Sequence, residues 1–190
     1  MVLHSEKRGT TAEDLELIGS FVNTLEKSSA GKPDIEQLDS PLALDAWMDE
    51  HDIAPGSHLV AEDVRSAIEF REALRSLLRS NNGAPLDSEA MGRLRDAADD
   101  GLIRIEVDSS GRATPKPVRS GLGALYARVL AAVADAQAAG TWERMKACAA
   151  EDCEWAFYDE SKNRSRTWCS MDVCGNRAKT RAYRARRKQG

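Results

Sequence analysis

Four cysteines, all in the last quarter of the chain, constrain its fold more than any other feature. Cys148 and Cys153 form a C-x4-C pair, fifteen residues follow, and Cys169 and Cys174 form a second C-x4-C pair. Loops of this length can bring four thiolates around one tetrahedral Zn²⁺, and fifteen residues are enough for a hairpin between the pairs. In a reducing compartment, thiols concentrated in this way are more often metal ligands than disulfides. We therefore predict one structural zinc ion per chain; two disulfides in an exported protein are the alternative.

Charge is distributed unevenly along the chain. Residues 161–190 contain ten Lys and Arg and the single acid Asp172, whereas residues 1–160 contain seventeen Lys and Arg and thirty acids. The net charge of −4 therefore divides into +9 on the tail and −13 on the body. A basic tail on an acidic body is typical of a segment that binds a polyanion, attached to a region with another task. A solvated terminus without a partner is the alternative.

The size of the chain predicts one domain with its own core and a small appendage, because 190 residues exceed what a single short motif needs. No apolar run is long enough to cross a membrane, and residues 1–19 lack the apolar core and small-residue cleavage site of a signal peptide. We therefore expect a cytoplasmic protein without membrane contact.

The residues between the cysteine pairs predict a hairpin. Residues 154–159 and 166–169 are rich in aromatic residues, as strands are, and residues 160–165 have the polar composition of a turn. A segment this short cannot build an adequate apolar core of its own. We therefore expect the zinc ion to stabilise its fold.

The last predicted element is a helix that starts at Cys174 and is crowded with arginine. Gly175 permits a sharp turn into it, and Ala178, Ala182 and Ala185 recur at helical spacing, which predicts a small apolar face that packs against the hairpin. A four-thiolate zinc site carries a charge of only about −2, so most of the cations are not needed to balance it. We predict that the surplus contacts phosphates and that residues at the helix start reach base edges. The candidate nucleic-acid-binding residues are Lys162, Arg164, Arg166, Asn176, Arg177, Lys179, Arg181, Arg184 and Arg186.

Residues 142–187 resemble the CGNR zinc finger, a family named for the four residues that stand here at positions 174–177. The resemblance includes both cysteine pairs, a W-x-F-Y-D strand, an R-x-W-C-S-M turn and the basic helix. In this family the finger follows an ABATE domain, a ligand-sensing module of bacterial stress-response transcription regulators, and the FVNT stretch at 21–24 resembles the ABATE signature. The resemblance implies an ABATE-like ligand-sensing or dimerisation domain over 1–140 and a DNA-binding finger over 141–190.

The first 140 residues predict a mainly helical domain. Apolar residues at helical spacing indicate helices that follow Thr11, begin at Ser40-Pro41, span about 61–80, follow Asp87 and span about 121–138. The alternating residues 102–118 predict one small β-hairpin, with Pro115 and Pro117 keeping its second arm at an edge. The predicted fold class is mainly α, a helical domain with a small hairpin, followed by a zinc-bound hairpin and a basic helix.

Three residues of the helical domain are candidates for a ligand site. Asn23 lies beside the apolar stripe of the first helix, Trp47 lies on the second, and Arg71 lies on the inward face of the long helix. A small anionic ligand, the effector, would satisfy these groups. The alternative is a capping or inter-helix hydrogen bond of Asn23, with arginines that face solvent.

The sequence contains no recognisable catalytic constellation. His4, His51 and His58 lie in a terminus and a loop, without a cysteine or Ser-x-x-Lys partner nearby, and there is no glycine-rich phosphate loop. We therefore expect surface histidines and no enzyme activity.

Three functions of different classes are compatible with these features. The leading hypothesis is a transcription regulator that binds double-stranded DNA through the basic helix, while the helical domain senses a small-molecule effector or dimerises. An RNA-binding factor is the second, because arginines beside exposed Tyr158 and Tyr183 would suit single strands. A protein-interaction module with a purely structural zinc finger is the third. One short finger buries only about 600 to 1,000 Å² on DNA, which favours a homodimer through the helical domain.

Overall fold

The computed structural model describes residues 12–28, 33–56 and 58–189, without the side chains of residues 185, 188 and 189. In this part of the chain, five α-helices and one short 3-10 helix (Trp142–Arg144) precede the cysteines, and the α-helices are α1 (Ala12–Val22), α2 (Pro41–Glu50), α3 (Ala61–Ser80), α4 (Ser88–Asp100) and α5 (Leu122–Ala138). They confirm the predicted helices, although Thr11, expected to cap α1, lies outside the described residues. None of the described helices is long and apolar enough to cross a membrane.

Local side-chain chemistry sets the starts of two helices. The Ser40 hydroxyl accepts a hydrogen bond from the Ala43 N–H at 3.2 Å, and Pro41 occupies the first turn of α2, where a missing N–H costs nothing. The Asp87 carboxylate accepts a hydrogen bond from the Glu89 N–H at 2.9 Å at the start of α4. Replacing such a cap by alanine typically costs about 0.5 to 2 kcal/mol, so both boundaries are specified by the sequence itself.

Aromatic and aliphatic side chains form the core where α1, α2, α3 and α5 meet. Phe21 is fully buried, and its ring centroid lies 5.0 Å from that of Trp47 and 5.7 Å from that of Phe70. Phe70 also contacts Tyr126 edge-on at 4.8 Å. Aromatic pairs of this kind contribute about 0.5 to 1.5 kcal/mol beyond the burial of their area. This aromatic row therefore connects α2 to α5 through the centre of the domain.

The predicted β-hairpin consists of β3 (Ile103–Val107) and β4 (Ala113–Pro117), which pair antiparallel. Because side chains alternate along a strand, Ile103, Ile105 and Val107 share one face, and they are 43% to 66% exposed. The hairpin therefore presents an apolar face to solvent.

A strand pair that the sequence did not predict follows α1. β1 (Leu25–Glu26) pairs with β2 (Ile35–Glu36), so that Glu36 lies opposite Leu25. The pairing brings the Glu36 carboxylate to the Arg71 guanidinium on α3, with which it forms two hydrogen bonds of 2.6 and 2.7 Å. The ion pair with Glu36 occupies both Nη groups of Arg71.

The cysteine-rich segment contains a hairpin, as predicted, but with a different pair of strands. β5 (Met145–Ala147) pairs antiparallel with β6 (Ala156–Tyr158), so the partner of β6 precedes the first cysteine. Residues 166–169, predicted to be the second strand, form none. The turn of the real hairpin contains Cys148 and Cys153, and the first cysteine pair therefore lies at its tip.

Residues 160–169 are held by side chains instead of a strand ladder. The buried Lys146 ammonium donates to the carbonyls of Arg164 and Arg166 at 2.6 and 3.2 Å and to the Asp159 carboxylate at 2.7 Å. That carboxylate also accepts a hydrogen bond from the Arg166 N–H at 2.9 Å. These bonds occupy the backbone groups that a strand would need, which explains why the aromatic pattern misled the prediction.

The predicted basic helix is α6 (Asn176–Gln189), which begins two residues after Cys174 because a π-type turn spans 171–175. Within this turn, a Cβ atom on Gly175 would lie only 2.4 Å from the sulfur of Met171. That sulfur belongs to the exposed, flexible side chain of Met171, which can move aside, so packing does not require glycine here; nor does Gly175 have a positive φ, so the sharp turn expected from its conformational freedom is not the reason either.

The expected alanine face of α6 does not pack against the hairpin. Ala182 is exposed and Ala178 is half-buried, while the Ala185 side chain lies outside the described residues. This part of the prediction is wrong because α6 contacts the finger mainly at its start, through the π-type turn. Most of α6 therefore has solvent on all sides.

The core continues across the predicted boundary at Gly140, which has a φ of 69° after α5. Trp142, Met145, Ala147 and Ala156 are buried in the same apolar cluster as the residues of α1 and α3. The first half of the cysteine-rich segment therefore packs directly on the helical domain.

Two adjacent amides after α3 also attach the cysteine-rich segment. Asn81 Nδ2 donates to the carbonyls of Trp142 and Met145 at 3.0 and 2.9 Å. Asn82 Nδ2 donates to the carbonyls of Ala147 and Thr167 at 2.9 and 2.8 Å. Four backbone acceptors of the segment are therefore satisfied by the end of one helix.

Candidate metal centre and nucleic-acid interface

The four cysteine sulfurs form one compact cluster. All lie within 4.8 Å of one another, with 3.6 Å between the sulfurs of Cys153 and Cys169 and 3.7 Å between those of Cys169 and Cys174. A tetrahedral zinc ion with Zn–S bonds of about 2.3 Å requires sulfurs about 3.8 Å apart. The cluster therefore fits a four-thiolate zinc site, with Cys148 and Cys153 from the hairpin tip and Cys169 and Cys174 from the segment that leads into α6.

The ionisation of the sulfurs explains why the cluster needs a cation. A hydrogen bond from Cys153 lowers the pKa of Cys148 to about 5, whereas burial raises the pKa of Cys169 to about 12. The hydrogen bond between Cys148 and Cys153 in turn raises the pKa of Cys153. One thiolate therefore opposes the formation of the next, and Zn²⁺ would supply the positive charge that holds all four deprotonated.

Two arginines of α6 lie beside this cluster and share one acid. Arg177 Nη2 donates to the Cys174 sulfur at 3.3 Å and lies 3.5 Å from Asp152 Oδ1, while Arg181 Nη1 donates to Asp152 Oδ2 at 3.0 Å. Burial opposes ionisation of Asp152, but the hydrogen bond from Arg181 and the charge of Arg177 hold its pKa below the ordinary value. Asp152 therefore fixes the start of α6 against the loop between the first two cysteines.

A third arginine orders the loop that contains Cys169. The Arg166 guanidinium lies 5.1 Å from the centre of the Phe157 ring, Nε donates to the Trp168 carbonyl at 3.0 Å, and Nη2 donates to the Cys169 carbonyl. A cation over an aromatic ring at a partly exposed site contributes about 0.5 to 1 kcal/mol. Arg166 thus positions a cysteine ligand.

Two family models match the chain. The CGNR zinc finger matches residues 144–187, and the ABATE family, described as "Putative stress-induced transcription regulator", matches residues 15–142, about two thirds of the chain. The chain belongs to the ABATE family. A comparison with curated proteins found no match. The cysteine cluster within a CGNR finger confirms the predicted site for one structural zinc ion, and the two matched regions are called the ABATE domain and the finger below.

Five of the nine candidate nucleic-acid-binding residues have partners in or next to the finger: Arg164, Arg166, Asn176, Arg177 and Arg181. Arg164 Nη1 donates to Glu143 Oε2 at 2.6 Å, and Asn176 Nδ2 donates to the Asp172 carbonyl at 3.0 Å. The Arg177 side chain is only 27% exposed and donates to the sulfur of Cys174. We therefore assign Arg177 to the metal centre, while contacts of Asn176 and the other residues with bases or phosphates stay predictions.

The other four candidates are exposed and have no hydrogen bond or ion pair to any residue in the described ranges: Lys162, Lys179, Arg184 and Arg186. Successive residues of an α-helix are rotated by about 100°, which places Lys179, Tyr183 and Arg186 on the side of α6 opposite Arg177. Tyr183 is 56% exposed. The side of α6 that faces away from the zinc cluster therefore combines two free cations with an aromatic ring.

Two of the three candidate ligand residues line one cleft. Asn23 and Trp47 border an open cleft of about 650 Å³ between α1, the end of α2 and Trp155 of the finger. The Asn23 amide also forms two hydrogen bonds with the backbone of Ala156, at 3.0 and 2.8 Å. Asn23 therefore has a structural hydrogen-bonding role, as the alternative to a ligand site required, although its partner lies on a strand and not on a helix. Binding of a ligand in this cleft stays a prediction.

Arg71 does not line this cleft. Its guanidinium is buried, and besides the two bonds with Glu36 it donates to the Thr24 hydroxyl at 3.1 Å and to Glu72 at 2.8 Å. With these acceptors it has little capacity for an anionic ligand, and it is withdrawn from the candidate site. The alternative of solvent-facing arginines is also wrong, because Arg75 is equally buried.

Sequence reasoning missed the residues that connect the finger to α3. Glu154, which has a φ of 49°, binds Lys27 and Arg79 through its carboxylate, the latter at 3.0 Å. Arg75 Nη1 donates to the Glu154 carbonyl at 2.8 Å. One feature of the sequence could have indicated this connection. Arg71, Arg75 and Arg79 recur every four residues, which places three cations on one side of α3.

The histidines have different environments. His51 is half-buried and stacks on Trp47, its Nδ1 donates to the Trp47 carbonyl at 2.8 Å, and its Nε2 lies 2.9 Å from the Ser20 hydroxyl. His58 is exposed, and His4 lies outside the described residues. The prediction of surface histidines therefore holds for His58 and is wrong for His51.

Proposed function

We propose that the protein is a cytoplasmic transcription regulator that binds double-stranded DNA through the exposed side of α6. In this proposal the ABATE domain holds the finger and senses an effector, and neither part is an enzyme. The supporting observation is the set of exposed cations without acidic partners in the described ranges, on a tail of charge +9. The acidic remainder of the chain would repel a polyanion, which limits the contact to the finger.

The zinc site supports this proposal by fixing the direction of α6. The helix projects from a turn that contains Cys174, and Asp152 binds Arg177 and Arg181 on its first two turns. A helix that is oriented before binding loses less conformational entropy when it meets DNA. Zinc binding would therefore be a precondition for tight DNA binding.

The test compares duplex DNA binding at several salt concentrations for the wild type and for the double variant Lys179→Ala/Arg186→Ala, which removes both cations on the side of α6 opposite Arg177. Each phosphate contact releases about 0.9 condensed counterions, so we expect the slope of log affinity against log salt to become shallower by about two. The matched control is Arg95→Ala/Arg112→Ala, which removes two exposed cations outside the finger and should leave the slope unchanged. If the first variant retains the wild-type affinity and slope, α6 does not contact DNA, and a purely structural finger for protein interactions is favoured.

Single-stranded RNA is the second candidate, because Tyr183 lies on the same side of α6 as Lys179 and Arg186 and is exposed. Base stacking on an aromatic side chain is worth about 1 to 3 kcal/mol per base and does not depend on sequence. Tyr158, also expected to be exposed, is half-buried and packs against the core. Under this hypothesis Tyr183→Leu lowers RNA affinity at least about fivefold while duplex DNA affinity is unchanged.

We also propose a homodimer, which would double the small DNA contact of one finger. The β3–β4 hairpin supports it, because Ile103, Ile105 and Val107 form an exposed apolar face on the ABATE domain. An apolar face without charges can pack against a copy of itself across a two-fold axis.

A further inference from the structure

The cleft between α1 and the finger is built from both parts of the molecule. Its floor is the outer side of α1, with Glu16 and Ser20, and the end of α2 and His51 form one wall. Trp155 of the finger forms another wall, one residue before Ala156, which Asn23 holds. A volume of about 650 Å³ is sufficient for a small organic molecule.

Aromatic rings line this cleft. Trp47 and His51 stack with centroids 4.1 Å apart at an angle of 21°, and the two hydrogen bonds of His51 hold the stack in place. Trp155 is 37% exposed although its indole is large and mostly apolar. The face of an indole ring attracts cations more strongly than other aromatic side chains. These walls therefore suit a ligand that is both apolar and positively charged.

The charge of the cleft is negative. Four lining carboxylates have no ion pair within the described ranges: Glu13, Glu16, Glu50 and Asp52. The lining residue Arg128 is bound to Asp14 at 2.8 Å, so its charge is already compensated. The anionic ligand expected from the sequence depended on Arg71, which lies elsewhere. The observed charges favour the opposite sign.

We infer that this cleft binds a small organic cation, a primary or quaternary amine with an aromatic or aliphatic body, between Trp155, the Trp47–His51 stack and the carboxylates. A divalent metal ion would need six or more oxygen ligands around one point and would gain little from aromatic walls. An apolar neutral molecule would form no ion pair with the carboxylates of the cleft. An organic cation uses both features.

The position of the cleft couples this ligand to the finger. A bound amine would contact Trp155 and the α1 surface together, and so would act on the junction that Asn23 and Ala156 form. If the finger binds DNA as proposed, the amine changes DNA affinity, and DNA changes amine affinity by the same factor. This regulatory step rests on the proposed function, whereas the binding site does not.

The test uses the zinc-loaded full-length protein and three probes of similar shape. These are 2-phenylethylamine, a cation at neutral pH, the neutral 2-phenylethanol and the anionic 3-phenylpropionate, each titrated by calorimetry. Because charge attraction and the ring contacts act together, we expect the amine to bind at least about tenfold more tightly than the alcohol, and the anion to bind most weakly. Equal affinities, or a preference for the anion, would overturn the inference.

Variants locate the site. Glu16→Gln/Glu50→Gln removes two charges without changing side-chain shape, and should weaken amine binding about tenfold. Trp155→Leu should weaken it about fivefold, with zinc content and circular dichroism showing that the finger is intact. The control Asp99→Asn removes an exposed charge on α4, outside the cleft, and should have no effect. Amine affinity that is unchanged in both cleft variants would show that the cation binds elsewhere and overturn the inference.

A last measurement separates this inference from the proposed function. DNA affinity is determined with and without saturating 2-phenylethylamine. If the amine binds and DNA affinity shifts, both are supported. If the amine binds but DNA affinity is unaltered, the coupling is overturned and the site is retained. Absence of DNA binding at every salt concentration overturns the proposed function alone.

Discussion

Replacing Arg177 by alanine should weaken zinc binding and leave DNA binding of the zinc-saturated protein unchanged. The Arg177 guanidinium donates to the sulfur of Cys174 and lies within reach of Asp152. Its Nε is buried and has no acceptor among the described residues. The Nη2 donor and the positive charge of Arg177 beside the Cys174 sulfur stabilise the deprotonated form that zinc requires. Loss of the guanidinium therefore makes the Cys174 thiolate less stable.

The structure sets the size of this effect. Removing a hydrogen-bond partner of a metal ligand typically costs about 10- to 100-fold in metal affinity, or about 1.4 to 2.7 kcal/mol. Arg177 is partly exposed and shares its charge with Asp152, so we expect the lower end, about tenfold. Arg177→Lys should fall between the wild type and alanine, because an ammonium keeps the charge but lacks the planar fork that reaches both Cys174 and Asp152.

Zinc affinity can be measured by competition with a chromogenic chelator at fixed pH. The matched control is Lys179→Ala, on the opposite side of α6, which should leave zinc affinity unchanged while making the salt dependence of DNA binding shallower by about one. The opposite pattern for Arg177→Ala, with wild-type zinc affinity and a shallower salt dependence, would show that Arg177 contacts phosphate. The assignment of this arginine to the metal centre would then be wrong.

Three further predictions concern stability and assembly. Asp159→Asn should lower the free energy of unfolding in urea by about 3 to 5 kcal/mol, because it leaves the buried Lys146 ammonium without its counter-ion, and a loss below about 1 kcal/mol would contradict this. Burial opposes ionisation of Glu72, but Arg75 and Arg71 hold its pKa below the ordinary value of 4.5. Its stabilisation is therefore present above about pH 4.5 and is lost as the pH falls, so the difference in unfolding free energy between wild type and Glu72→Gln should shrink on acidification; a difference that grows would refute this. Sedimentation equilibrium should show a dimer that Ile105→Glu converts to a monomer, and a wild type that is already monomeric would exclude this interface.

The sequence predicted what local chemistry determines. Ser40 and Asp87 cap their helices through bonds to residues two or three positions away, so their patterns are sufficient. The cysteine spacing likewise specified the ligand set. The partner of β6 was not predictable in this way, because β5 lies across the first cysteine pair, and the aromatic residues 166–169 look like a strand when considered alone.

The predictions about Arg71 and the cleft differ from the structure because they depend on contacts between residues that are far apart in the sequence. The periodicity of α3 placed Arg71 on its inward side, but only the β1–β2 pair, 35 residues earlier, shows that Glu36 occupies its guanidinium. The negative charge of the cleft was also not predictable from the sequence, because its carboxylates come from two separate segments, α1 and the end of α2. Sequence alone located Asn23 and Trp47, but it did not show the carboxylates beside them, on which our inference of a cationic ligand rests.

We expect zinc binding and packing of the ABATE domain to be thermodynamically linked, because the segment that contains the zinc ligands also contacts α3. Glu154 directly follows the zinc ligand Cys153; its carbonyl accepts a hydrogen bond from the buried Arg75, and its carboxylate forms an ion pair with Arg79. If loss of zinc released this segment, Arg75 would lose one of its acceptors inside the core, and Asn81 would lose the carbonyls that it binds. A buried charged donor without its acceptor costs more than about 1 to 3 kcal/mol. In that case the free energy of zinc binding would also stabilise the end of α3.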